Sequence, residues 1–183
     1  MTVAVAVRTP FVLVTSLAKP NGLKKSEISE IFTSPRSAWH DNTQIRIILR
    51  PKSDSDTQAW IENFPGMEAA LEAARKRHDV PVAATDQDSA NMAETIAGSL
   101  AGSTLTQITT EQRNLRLVSV DGVAPTLSAL ESGTYPYRKM LYFVIPAKSK
   151  PDVDRFLAFV RSPDGQALLK EKGNLIIPVT SRP

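Results

Sequence analysis

The run Gln44-Ile45-Arg46-Ile47-Ile48-Leu49 empties directly into Arg50-Pro51-Lys52-Ser53-Asp54-Ser55-Asp56-Thr57, and this junction constrains the fold more than any other stretch of the chain. Isoleucine and leucine crowded into six residues suit a strand buried on both faces. The residues after it, Thr57 to Phe64, have the periodicity of a helix, with Asp56 or Thr57 expected as its cap. A buried strand feeding a helix through a hydroxyl-rich loop is a building block of α/β architecture. It also points unpaired backbone N–H groups into the loop. Those groups, the helix dipole, nearby hydroxyls and one guanidinium can together replace the hydration shell of a phosphate-like anion. The candidate ligand-binding residues are therefore Arg50, Ser55, Asp56 and Thr57. The plainer reading, a capping segment with Arg50 paired to a loop carboxylate, uses the same residues and stays open at this stage. The loop's acidic residues can repel a fully ionised ligand or accept a proton from one that still carries it.

Composition narrows the function classes. The chain has 183 residues, 42% of them hydrophobic and 22% charged, enough for one well-buried domain or two small lobes. Its formal charge of +3 is scattered among acidic residues and comes with few aromatics, so nucleic acid is a poor candidate partner. With no cysteine there is no thiolate nucleophile and no cysteine-based metal site. His40 and His78, the two histidines, have no metal-pair spacing. No catalytic residue, cofactor or metal is expected, and no enzyme. Asp54 and Asp56 could in principle attract a divalent ion, but Arg50 competes for them.

Along the chain, Val3–Val7 and Phe11–Thr15 read as two short strands broken by Pro10, and Leu23–Phe32 as an amphipathic helix. After Pro65-Gly66 a second helix is expected over Met67–His78, its basic end Arg75-Lys76-Arg77-His78 solvated and complementing the helix dipole. Thr85-Asp86-Gln87-Asp88 caps a helix to about Ala97. A small-residue turn then leads into an expected strand over Thr104–Ile108 and another over Leu115–Val120. A short helix at Thr126–Glu131, a strand at Met140–Ile145, two closing helices from Pro151 and a last strand at Asn174–Val179 complete the pattern.

Five of these segments, in this order, resemble the phosphate-binding, type II substrate-binding proteins of bacterial ABC transporters. Leu23–Phe32 with Trp39-His40-Asp41 is similar to the family's helix ending in Ile-Phe before a Trp-Asp pair. Arg50 with Ser55 and Thr57 resembles its Arg-then-Ser-Gly-Thr anion loop, although Asp56 stands where Gly is usual and Ser55 lies one residue further from Arg50. Ala97–Gly102, Ser132-Gly133-Thr134-Tyr135-Pro136 and Phe156–Gly173 are similar to three later family segments.

The resemblance implies an α/β fold of the periplasmic-binding-protein type II kind, mostly one lobe plus the C-terminal returning segment of the other. Residues of about 10–140 would form the second lobe and about 141–183 the remnant of the first. It implies reversible binding of a small oxyanion, phosphate first, as the solute-binding component of an ABC transporter, with the transporter's membrane subunits as partners. It also implies a periplasmic or extracytoplasmic location, whereas the sequence taken as complete shows no signal peptide and reads as cytoplasmic. The family's long leading segment has no counterpart here. The alternative is therefore a truncated lobe acting as a protein-interaction module. In that reading Tyr135, Tyr137, Leu141 and Phe143 are partly uncovered, and the chain self-associates through 141–183.

Overall fold

A single fourteen-residue strand, β1 (Thr2–Thr15), organises the protein in a computed structural model that describes residues 2–146 and 148–177. Its second half, rich in β-branched and aromatic residues, lies between β3 (Ser99–Thr104) and β4 (Arg116–Val118), both antiparallel to it. The short β2 (Arg46–Ile47) extends this sheet by parallel pairing with β3, giving the order β2-β3-β1-β4. The first half of β1 carries the remaining strands of the same six-stranded sheet. It pairs with β5 (Arg138–Ile145) from Thr2 opposite Ile145 to Pro10 opposite Arg138, and with β6 (Leu175–Ile177) at Ala6–Arg8.

Pro10 therefore does not break the strand as the sequence suggested. It sits where pairing with β5 ends and pairing with β3 begins at Phe11 opposite Thr104, a handover at which a missing N–H is tolerated.

Alternation along β1 fills two cores. Phe11 and Leu13 face one side, where helices α1 (Lys25–Thr33), α2 (Ser55–Asn63) and α3 (Met67–Ala74) bring Ile28, Phe32, Trp60 and Leu71, joined by Phe64 at the end of α2. Val12 and Val14 face the other, against Ala90 and Ala93 of α4 (Asp86–Thr95) and the flank of α5 (Leu105–Thr110). Trp60 is the hub of the larger core, edge-on to Phe11 at 5.3 Å and to Phe32 at 4.9 Å between ring centres. After α6 (Leu127–Ser132), the chain enters β5 through two buried tyrosines. Tyr135 and Tyr137 are 0% and 4% exposed, contrary to the uncovered position that a truncated lobe suggested, because the Tyr135 hydroxyl donates to the Phe11 carbonyl and Tyr137 stacks on Phe64. A third, smaller core joins Val5 and Val7 to Leu157 and Val160 of α7 (Pro151–Arg161), with α8 (Pro163–Glu171) behind.

Two further expectations are corrected. Thr104–Ile108 is not a strand: the Thr104 hydroxyl accepts the Gln107 N–H and starts α5, while the preceding small residues form buried β3. The strand needs them small, because a Cβ on Gly102 would lie 2.6 Å from the Phe11 ring and 2.7 Å from Trp60 Nε1. The helix of Met67 ends at Ala74, short of the basic run, and that run is only partly solvated. The Arg75 and Arg77 side chains are 18% and 15% exposed and donate to backbone carbonyls. Leu141 and Phe143 are half-buried against α7, whereas Tyr142 and Val144 on the opposite face of β5 are exposed. The expected strand Asn174–Val179 is seen as β6, its last two positions lying outside the described residues.

Candidate functional site

The strand-loop-helix junction forms as the sequence indicates, but its cap is Asp54, two residues before Asp56 and three before Thr57. The Asp54 carboxylate accepts the Asp56 N–H at 2.8 Å, and α2 begins at Ser55. A short carboxylate reaches the orphan N–H groups of a first helical turn, whereas Thr57 already lies inside that turn. Its hydroxyl turns back instead, donating to the Pro51 carbonyl at 2.9 Å.

Arg50 comes to the same helix end from the strand side and is 93% buried, with 7% of its surface exposed. One Nη donates to the Ala83 carbonyl at 2.7 Å. The other is shared between two carboxylates, Asp54 at 2.7 Å and Asp86 at 2.9 Å. Its Nε–H is buried and meets no acceptor among the described residues. Asp56 is buried at the same helix end and pairs with Lys139 of β5, itself 8% exposed. Burial pushes the Asp56 carboxyl above the usual carboxylate range. The Lys139 ammonium pulls it back, and Asp86 and Asp54 add to the rise. Ser55, first residue of the helix, is exposed.

Three carboxylates, Asp54, Asp56 and Asp86, thus have oxygens within 4.8 Å of one another, facing the two buried cations Arg50 and Lys139. Such proximity could attract a metal ion, but each carboxylate is already engaged by a cation. Arg75 holds the loop from behind, donating to the Arg50 carbonyl at 2.9 Å and to the Thr57 hydroxyl at 3.3 Å. Of the four residues read from the sequence, Arg50 and Asp56 meet the charge cluster with their side chains. Ser55 borders it from the surface, and Thr57 supports it by tying down the loop. Asp86, Lys139 and Arg75 are not legible as site residues in the sequence: Asp86 reads as part of a helix cap and Arg75 as part of a solvated helix end, and no local signal marks Lys139.

A parallel-paired β2-β3 edge, a β1 that carries antiparallel partners along its whole length and a helix N-terminus at the end of a buried strand make this an α/β fold. The sequence pattern of the family described as the PBP superfamily domain matches residues 4–164, and the chain belongs to this periplasmic-binding-protein superfamily. No curated protein matches the chain in sequence. Among solved structures, the fold is similar to a Clostridium perfringens protein whose crystal structure holds bound phosphate: 14% identical, TM-score 0.77, over 97% of this chain and 71% of that one. It is also similar to PstS from Borrelia burgdorferi (21% identical, TM-score 0.65, 97% and 72% covered). An ABC-type phosphate transport receptor from Vibrio cholerae is a third (11%, 0.62, 97% and 72%). At these identities the likeness is one of fold. None of the described helices is long and apolar enough to cross a membrane.

Proposed function

We propose that the chain captures a small tetrahedral oxyanion, phosphate first, reversibly and without chemistry, on Arg50 and the N-terminus of α2. In this reading it serves as the solute-binding component of an ABC transporter, outside the cytoplasmic membrane, with the transporter's membrane subunits as partners. The observation that carries the reading is Arg50: a buried guanidinium at a helix N-terminus, with a buried Nε–H that meets no acceptor among the described residues. Family membership and the phosphate named for similar structures support it. Ser55 and the first-turn N–H groups other than that of Asp56, which Asp54 holds, supply further donors, Asp56 holds the helix end in place, and Thr57 fixes the loop. The carboxylates at the seat favour an anion that still carries a proton, which phosphate does near neutral pH and sulfate does not. The lobe division at about 10–140 and 141–183 belongs to the same reading.

Calorimetric titration of the chain with phosphate, and with sulfate as the proton-free control, tests this. Arg50→Ala should weaken phosphate binding by about 1.5–3 kcal/mol, the scale of a charge-assisted hydrogen bond. Arg50→Lys keeps the positive charge at the Asp54–Asp86 pair and serves as the folded comparison. No heat with phosphate, or equal affinity in the natural chain and both variants, would remove the assignment.

A second reading, self-association through 141–183, is favoured by one observation. Tyr142, Val144, Phe156 and Phe159 are each about half exposed, at 56%, 52%, 51% and 49%. Light scattering over a concentration series distinguishes it, since a monomer at every concentration excludes it.

A further inference from the structure

We infer that Asp86 is an internal competitor for the oxyanion seat: its carboxylate occupies the Arg50 guanidinium and must leave before an external anion can bind. The inference rests on the oxyanion reading above and adds a residue that controls it.

Three observations separate Asp86 from the other carboxylates. Asp54 is fixed, since it caps α2 through the Asp56 N–H and its side chain is 21% exposed. Asp56 is sealed against Lys139. Asp86 has no such duty. The start of α4 is capped without it, because the Thr85 hydroxyl accepts the Asp88 N–H and the Asp88 carboxylate accepts the Thr85 N–H, both at 3.1 Å. Among the described residues its one side-chain hydrogen bond is to the shared Arg50 Nη, and 46% of the side chain already faces water. Turning outward costs Asp86 a single charge-assisted bond, which water replaces.

Charge and geometry then favour the exchange. With Asp86 in place, a third carboxylate stands at Arg50 beside Asp54 and Asp56, and its charge opposes the approach of a dianion. With Asp86 turned out, Asp54 and Asp56 balance Arg50 and Lys139. The planar guanidinium presents Nε and this Nη along one edge, a fork that matches two oxygens of a tetrahedral oxyanion. Asp86 engages only the Nη, and the Nε–H has no acceptor among the described residues. An external oxyanion can satisfy both donors. A tethered carboxylate, by contrast, holds its place through a high effective concentration.

The test is anion response in Asp86→Ala, with Asp86→Asn as the shape-preserving variant should the alanine form fail to fold. Phosphate affinity is read by calorimetry. Separately, formate, the chemical equivalent of the deleted carboxylate, is read by the thermal midpoint. Phosphate should bind the variant at least about tenfold more tightly than the natural chain, as expected when a tethered competitor is removed. Formate should raise the midpoint of the variant and leave that of the natural chain unchanged. Should phosphate fail with both proteins while formate still stabilises only the variant, Asp86 remains the internal competitor and the phosphate reading falls. If phosphate and formate responses are the same in variant and natural chain, or phosphate binds the variant less well, Asp86 is only a clamp on Arg50 and the inference is overturned.

Discussion

Removing the Lys139 ammonium should cost far more stability than removing the whole Lys139–Asp56 pair. The two side chains are 9% and 4% exposed, one on β5 and the other in the first turn of α2. Truncating one partner of a buried pair leaves an uncompensated charge and costs about 3–5 kcal/mol, whereas replacing both with apolar groups is about neutral. Lys139→Met should therefore lower the melting midpoint by roughly 6–20 °C for a chain of this size. Asp56→Asn should cost a similar amount, and the double variant Asp56→Leu/Lys139→Met much less than the two singles added. The pH dependence has a definite sign. Burial already raises the Asp56 carboxyl in the folded state, and losing Lys139 raises it further. A carboxyl raised by folding contributes stability that is full below its unfolded value and disappears as pH rises through its folded value. The Lys139→Met deficit should thus be larger at pH 7 than near pH 4, while that of Asp56→Asn, having no carboxyl to titrate, should lack this acid recovery. Thermal melts give the midpoint shifts, and urea unfolding of the four proteins at both pH values gives the losses and their pH dependence. Additive single-variant losses, or a Lys139→Met deficit that grows on acidification, would refute the reasoning.

Arg75→Met should loosen the loop by removing two hydrogen bonds to it, costing about 1–3 kcal/mol and raising amide exchange at Asp56 and Thr57; unchanged exchange would show that the loop holds itself. Gly102→Ala should destabilise by about 1–3 kcal/mol through overpacking against Phe11 and Trp60, with a shift in tryptophan fluorescence, and a variant of natural stability would mean that this contact relaxes freely. Thr85→Ala removes the side-chain cap of α4 and should cost about 1 kcal/mol in urea unfolding; no loss would show that Asp88 alone suffices.

The sequence made most helices legible because each has an apolar stripe and a local stop or start: Pro65-Gly66 before α3, Thr85 before α4, Thr126 before α6 and Pro163 inside α8. The errors came where distant packing decides. Pro10 reads as a break until β3 and β5 are seen to meet on the same strand at that point. Thr104–Ile108 is β-branched enough for a strand, yet the Thr104 hydroxyl and the end of β3 pairing turn it into a helix. At the site, Arg50 and the α2 N-terminus were readable because they are seven residues apart or less along one loop. Asp86 and Lys139 were not, since they reach the loop from 36 residues away from Arg50 and 83 residues away from Asp56. No local pattern encodes such a meeting.

Because β1 pairs with four other strands of the sheet, its partners set a timetable for synthesis. The Phe11 carbonyl waits for the hydroxyl of Tyr135, 124 residues later, and β5 follows only after that. At about 5–20 residues per second, the strand stands incomplete on the ribosome for roughly 6–25 s. Throughout that interval Val3 to Val7 present an unpaired, β-branched edge to the surrounding solution. A nascent chain arrested after β4 should accordingly bind holdase chaperones or aggregate, and one released after β6 should do neither.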